Sequence, residues 1–278
     1  RRLEGRWVVT DVMPGAPAEA AGVQPGWIVE TRDGERLGES LRLVNLPGQA
    51  ITYGFIDGGG QSRLITMTAG PVSVVPQLES RVLEDGLVLL RFDDFSQRTW
   101  RWLGRTLKDH QDAPAMVVDL RNNPGGLLVS LRFAIAQFFD RSVGIGTFVQ
   151  RSGRERSTSS IPLLSARYAG RVVVLIDGGS GSSAEIFAHV LRHHGRAVLV
   201  GRKTAGAVIA ARDYALPAGG RLQVAVSDYL GLDGHRLEGV GVTPDIEVRL
   251  ALDDLRRGHD ADHAAALEVL HQSPAAIK

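Results

Sequence analysis

The run Arg171-Val-Val-Val-Leu-Ile176 is apolar without a polar break, the pattern of a strand covered on both faces. It leads through small residues into a stretch whose apolar positions, Ile186, Phe187, Val190 and Leu191, fall at helical spacing. The same sequence of events occurs twice upstream. Ala115-Met-Val-Val-Asp-Leu120 reads as a buried strand, with a helix from Leu127 to Phe139 after it. Leu87-Val-Leu-Leu-Arg-Phe92 reads as a strand, followed by a helix from Ser96 to Lys108 that Ser96 caps and whose Trp100, Leu103 and Leu107 share one face. Strands and helices alternating through Gly201 predict a largely parallel sheet with crossover helices. Arg221 to Ser227 adds a strand after the turn Pro217-Ala-Gly-Gly220, and the charged, alanine-rich stretch from Leu252 to Gln272 predicts a surface helix or two.

The residues before this have a different rhythm. Trp7 to Val12 alternates like a strand, Met13-Pro-Gly-Ala-Pro17 is turn chemistry, and Pro17 to Gly22 fits a short helix closed by glycine. Gln24-Pro-Gly26 turns again, Trp27 to Thr31 is a strand, and Arg32-Asp-Gly34 is a hairpin-type turn. Gly70 to Pro76, with a proline at each side, punctuates the boundary. Two domains follow from this, residues 1–72 and residues 73–278, the second carrying a helical tail.

The candidate chemistry lies in two strand-to-helix junctions. Asp177-Gly-Gly-Ser-Gly-Ser-Ser-Ala-Glu-Ile-Phe-Ala188 sets a serine at a helix N-terminus, where free N–H groups point outward. That placement suits a nucleophile whose tetrahedral intermediate needs an oxyanion hole, which singles out Ser182. On this segment alone the plainer reading is a helix cap, with Ser180, Ser182 and Ser183 all available for it. Arg121-Asn-Asn-Pro-Gly-Gly126 changes the balance, because paired glycines let backbone amides approach a developing negative charge.

Asp119-Leu-Arg-Asn-Asn-Pro-Gly-Gly126, the stretch Gly179 to Gly206, and Leu237 to Asp245 together resemble the C-terminal processing (tail-specific) peptidases and their tricorn-like relatives, over roughly Gly5 to Leu250. The resemblance implies an α/β, ClpP/crotonase-like serine peptidase core with an N-terminal PDZ-like β-rich domain, the latter carried by the pattern Val9 to Val29. It implies acyl transfer through Ser182, with an oxyanion hole made by the amides of Ser183 and of Gly125 or Gly126, and a structural role for Glu185 in the first helical turn. Polypeptides would be the substrates, bound at a chain end by strand addition to the PDZ-like domain. No cofactor is implied, a homo-oligomer is left open, and the setting would be periplasmic or secreted.

The activating base is where the chain departs from the best-known branch. Those enzymes pair serine with a lysine in a T-x-G-K-G-x-x-Q segment; here Thr204 to Ala211 puts Ala207 at the lysine position and Ala211 at the glutamine position. A single replacement at Ala207 would not explain both. Lys203 is off register and reads as a surface residue. The tricorn-like branch uses a histidine supported by a glutamate, and Leu237-Glu-Gly-Val-Gly-Val-Thr-Pro-Asp245 matches the segment that carries the latter, implicating Glu238. The branch's histidine sits in a D-x-H-T or S-H-T segment before the PDZ domain. None of the eight histidines here lies in such a segment. His193 and His194 read as partners of a helix C-terminus, and His235 is a weak candidate base. The expectation is a base upstream of Arg1, or a pseudo-peptidase that binds or scaffolds peptides without cleaving them. A crotonase-type acyl-CoA enzyme is a further alternative that the PDZ-like domain and the helix-start serine oppose.

Composition trims the field. The chain has 278 residues, 44% hydrophobic and 23% charged, with a formal net charge of +1, so it carries no electrostatic footprint for nucleic acid. The absence of cysteine removes disulfides and thiol chemistry and leaves the redox compartment open. No stretch has the length of a membrane span, and no signal peptide is visible. The start at Arg1 rather than methionine suggests a processed or truncated piece. His259-Asp-Ala-Asp-His263 spaces two histidines as a helical metal site would, but without a matched glutamate a solvated helix face is expected, and no metal.

Overall fold

The computed structural model describes residues 1–39, 45–70, 76–161, 167–217 and 219–272. They fall into two compact units, one within Arg1–Val75 and Arg249–Ala261, the other within Pro76–Val248 and from Asp262 onward. The proline-flanked segment expected to mark the boundary, residues 71–75, lies outside the described residues, as does Ala218 of the predicted turn.

In the first unit, strands β1 (Arg2–Leu3), β2 (Arg6–Val8), β3 (Ile28–Arg32), β5 (Ala50–Ile56) and β6 (Ser62–Thr68) pair in that order, and β4 (Glu35–Arg36) pairs with β3. A short helix, α1 (Pro17–Ala20), sits between β2 and β3, with proline at its first turn and Gly22 in the left-handed region just past its end (φ 73°). The strand expected from Trp7 to Val12 is confined to Arg6–Val8. Asp33 and Gly34 both take positive φ (50° and 85°), the signature of a tight hairpin turn between β3 and β4. Val23, Trp27, Ile51, Tyr53 and Phe55 form its core.

The second unit holds the expected alternation. Strands β7 (Leu78–Val82), β8 (Val88–Phe92), β9 (Ala115–Asp119), β12 (Arg171–Ile176), β13 (Val198–Gly201) and β16 (Ile246–Glu247) form one sheet in the order β16-β13-β12-β9-β8-β7, parallel except at β7. Helices α2 (Gln97–Asp109), α3 (Leu128–Ala136) and α4 (Ser183–His193) follow β8, β9 and β12. Ser96 caps α2, its hydroxyl accepting from Thr99 N at 3.3 Å.

Between α3 and β12 the chain does something the pattern did not announce. Strands β10 (Gly144–Gln150) and β11 (Glu155–Ser159) join β14 (Ala210–Ala215) and β15 (Arg221–Leu230) in a separate antiparallel sheet ordered β11-β10-β15-β14. Glycine-broken Gly144-Ile-Gly146 and polar Glu155-Arg-Ser-Thr-Ser159 lack the apolar continuity of a covered parallel strand.

The parallel sheet explains its own unbroken apolar runs. Leu90, Met116, Val118, Val174 and Ile176 point to one face, where Leu103, Leu131 and Phe187 of the three helices cover them. Leu89, Val117, Val173 and Leu175 point to the other, covered by Ala266, Val269 and Leu270. The latter belong to the tail, which folds as α5 (Leu252–Arg257) and α6 (Ala261–His271). The expected surface helices are therefore corrected: α6 seals the second face of the sheet, and Leu252 of α5 is buried with Val8 and Ile28 of the first unit. No helix among the described residues is long and apolar enough to cross a membrane.

Candidate active site

The turn from β12 into α4 gives Ser182 and the two neighbouring serines, Ser180 and Ser183, different surroundings. Ser180 is fully buried; its hydroxyl donates to Leu120 O (2.7 Å) and accepts from Asp177 N (2.9 Å), a purely structural commitment. Ser183 is buried and donates its hydroxyl to Gly126 O at 2.9 Å. Ser182 is the one left partly open to solvent. Its backbone sits at φ 51°, ψ −117°, outside the regions an L-residue ordinarily adopts. Such a sharp turn lifts a side chain off the end of a strand and presents it at a helix N-terminus.

The glycine turn after β9 is bolted to this elbow. Asn122 N donates to Asp177 Oδ1 (2.9 Å), and Gly181 N donates to Asn123 O (2.9 Å). Asn123 is itself buried, its side chain donating to Phe92 O (2.7 Å) and accepting from Gly125 N (2.9 Å). Gly125 (φ 102°) lies so close that a Cβ there would stand 2.6 Å from Ser182 Cβ and 2.7 Å from Ser183 N, so no other residue fits. The Gly125 amide is thus spent on Asn123. The amides of Gly126 and Ser183 make no hydrogen bond to a described residue.

The segment from Thr204 to Ile209 closes the site from a third side. Glu185, fully buried in the first turn of α4, is its anchor. Oε1 accepts from Thr204 Oγ1 (2.5 Å) and Gly206 N (2.7 Å), while Oε2 accepts from Ala207 N (2.8 Å) and Ser182 N (3.0 Å). These donors offset the desolvation a buried carboxylate suffers. Ser182 N also reaches Ala207 O at 3.0 Å. Glu185 therefore does more than complement a helix dipole: one carboxylate locks the elbow to the loop beside it.

Residues 86–248, more than half of the chain, match peptidase family S41. The chain belongs to that family. It is 28% identical over 274 residues to the chloroplastic carboxyl-terminal-processing peptidase 3 of Arabidopsis thaliana, covering 90% of this chain and 52% of that one. It is 28% identical to the carboxyl-terminal-processing protease of Synechocystis sp., covering 93% and 63%. The chain thus spans about half to two-thirds of the length of these relatives. Among solved structures, the photosystem II D1 C-terminal processing protease superposes with a TM-score of 0.62 at 23% identity, covering 92% of this chain and 73% of the other. Mature CPAF complexed with lactacystin gives a TM-score of 0.71 at 14% identity, covering 97% and 81%. These likenesses concern the fold.

In this S41 member the remaining sequence-derived positions are arranged as follows. Ala207 and Ala211 are exposed, as is Lys203. Glu238 Oε2 accepts from Val208 N (2.7 Å) and Ile209 N (3.0 Å), fixing the far end of the same loop, and its Oε1 makes no hydrogen bond to a described residue. Among the described residues no histidine or lysine side chain hydrogen-bonds Ser182. His235 is 83% exposed and pairs with Asp233 at 3.5 Å. His193 ends α4 in its last turn, and the adjoining His194 turns its Nε2 to Gly144 O (3.1 Å). His189 is buried on α4 and accepts from Leu232 N at 3.2 Å; burial holds its pKa below the usual imidazole value.

Sequence reasoning missed an ion cluster behind the site. Arg121 donates to both oxygens of Asp119 (2.9 and 2.7 Å) and to Asp262 Oδ2 (3.0 Å), and Arg202 forks onto Asp262 (2.6 Å to each oxygen). The solvated helix face expected over His259–His263 is corrected accordingly. Asp262 is 3% exposed, and His259 precedes α6 rather than sharing a face of it with His263. The cluster ties α6 to the ends of β9 and β13, from which the glycine turn and the Thr204 loop depart. Only the Asp-Leu-Arg spacing after a buried strand hinted at it.

Proposed function

We propose that this S41 member is a serine endopeptidase that cleaves unfolded or C-terminal polypeptide segments through an acyl-enzyme on Ser182. The observation that carries the reading is the strained, partly exposed Ser182 next to two uncommitted amides, those of Gly126 and Ser183. Ser182 Oγ attacks the peptide carbonyl, and the oxyanion of the tetrahedral intermediate accepts from the Gly126 and Ser183 N–H groups. Collapse breaks the C–N bond, the base returns the serine's proton to the leaving amine, and water then attacks the ester to release the acyl segment. Gly125 serves by close packing rather than by donation, its amide being held by Asn123.

The base in this reading is a histidine, as in the tricorn-like branch, because the position where the other branch has its lysine is Ala207. Glu238 orients it through Oε1, while Oε2 keeps the loop in place. The N-terminal β-rich unit acts as a PDZ-like peptide-binding domain. Its apolar groove of about 420 Å³, lined by Val9, Val12, Val23, Ile51, Phe55 and Met67 among others, suits an apolar chain end.

A second reading, a peptide-binding pseudo-peptidase, is favoured by the lack of a base bonded to Ser182 among the described residues. Fluorophosphonate labelling separates the two. Labelling of this chain that disappears in Ser182→Ala and weakens in Glu238→Gln supports the peptidase. No labelling, here or with upstream residues of the same protein attached, supports the pseudo-peptidase.

A further inference from the structure

Helix α3 starts two residues after Gly126, and its first turn faces the antiparallel sheet β11-β10-β15-β14 across a cavity of about 580 Å³. Leu128 and Arg132, one helical turn apart, line the helix side. Phe148 of β10, Arg156 of β11, and Ala210 and Arg212 of β14 line the sheet side. The register makes this a single face, since Phe148 pairs with Arg156 across the strands, and Ala210 and Arg212 are two positions apart in β14.

The cavity holds three arginines and, among the described residues, no aspartate or glutamate. Strand alternation is the reason: Glu155 and Asp213, the sequence neighbours of Arg156 and Arg212, point to the opposite face. Arg132 Nε is held by Ser159 O (2.7 Å), which leaves the rest of its guanidinium for a ligand. Neither Arg156 nor Arg212 makes an ion pair with a described residue. The half-buried Arg121 and Arg202, by contrast, are matched by Asp119 and Asp262. Three guanidiniums with no ion pair to a described residue thus surround one apolar-floored cavity. Guanidinium forks match a carboxylate in shape and charge.

The position says whose carboxylate. Leu128 is two residues from Gly126, and Ala210 three from Ala207, whose carbonyl touches Ser182 N. At about 3.3–3.6 Å per extended residue, the cavity opens within about 10 Å of the oxyanion amides. Resting on the peptidase reading above, we propose that it is an anion subsite that seats a carboxylate of the bound polypeptide within about three residues of the scissile bond. Leu128 and Phe148 supply the apolar floor. The carboxylate is either an aspartate or glutamate side chain or the free chain end, and the two are separable by experiment.

Binding is measured by fluorescence anisotropy on the Ser182→Ala chain with dye-labelled peptides of one apolar sequence. One carries an internal glutamate and an amidated end, one a glutamine and a free carboxylate end, and one a glutamine and an amidated end. At least one carboxylate peptide is expected to bind about tenfold or more tightly than the neutral one, and the arm that does so identifies the source. Arg156→Gln with Arg212→Gln should erase the preference and leave the neutral peptide's affinity unchanged. Equal binding of all three peptides, a preference that survives the double variant, or no binding at all would overturn the proposal. Fluorophosphonate labelling of the wild-type chain is scored separately. Its absence counts against the peptidase reading, while the binding comparison still decides the subsite.

Discussion

Replacing Glu185 with glutamine tests whether one buried carboxylate holds the Ser182 elbow. Glu185→Gln exchanges an oxygen that accepts two hydrogen bonds for an NH2 group that accepts none. Either Thr204 Oγ1 and Gly206 N or Ser182 N and Ala207 N then lose their acceptor. The amide is expected to turn its NH2 toward Thr204, whose hydroxyl oxygen can accept, although it already takes Val242 N at 2.6 Å. Hydrogen bonds to a charged group are worth about 1.5–3 kcal/mol each, so two lost bonds with partial recovery cost about 3–5 kcal/mol. Against a domain stability of about 5–15 kcal/mol the variant still folds, with a urea midpoint lowered by roughly 1–2 M. Labelling of Ser182 by a fluorophosphonate, at a urea concentration where both proteins are folded, should slow about tenfold or more because the elbow and its amides lose their register. A stability loss under about 1 kcal/mol with labelling within about twofold of wild type would refute the argument that this carboxylate holds the elbow.

Gly125→Ala places a methyl 2.6 Å from Ser182 Cβ and 2.8 Å from Gly181 O at φ 102°, so overpacking and backbone strain should cost about 2–5 kcal/mol and abolish labelling; a stable, labelled variant would count against the seating of the two turns. Asp262→Asn leaves Arg121 and Arg202 without their shared counter-charge and should destabilise the second unit by about 3 kcal/mol in urea titration, with the native midpoint as the contrary result. His189, whose pKa is lowered by burial, binds a proton in the unfolded chain near the usual 6.5 but not yet in the folded one. Its contribution is therefore present above pH 6.5 and lost as the pH falls through the folded value. The urea midpoint of His189→Gln should fall less between pH 7.5 and pH 5 than that of wild type, and parallel pH profiles would contradict this.

The sequence by itself determined the covered parallel strands, the helices after them and the two junctions that matter, because those signals are local: unbroken apolar runs, helical spacing and small-residue turns. It singled out Ser182, with Ser180 and Ser183 as rival hydroxyls; only the tertiary structure shows that Ser180 is tied to Leu120 and Ser183 to Gly126, partners about sixty residues away. The glycine pair shows the same division. Its place in a turn beside the Ser182 junction was legible, but that Gly125 spends its amide on Asn123 while Gly126 does not depends on φ values no motif carries. Asp262 in a polar tail and Arg156 and Arg212 on polar strands looked like solvated surface. The first is buried against arginines from two distant strand ends, and the other two converge on one cavity because alternation and register put them there. Local pattern fixes which face of an element is apolar; only the meeting of elements decides which polar groups are matched by a counter-charge and which are not.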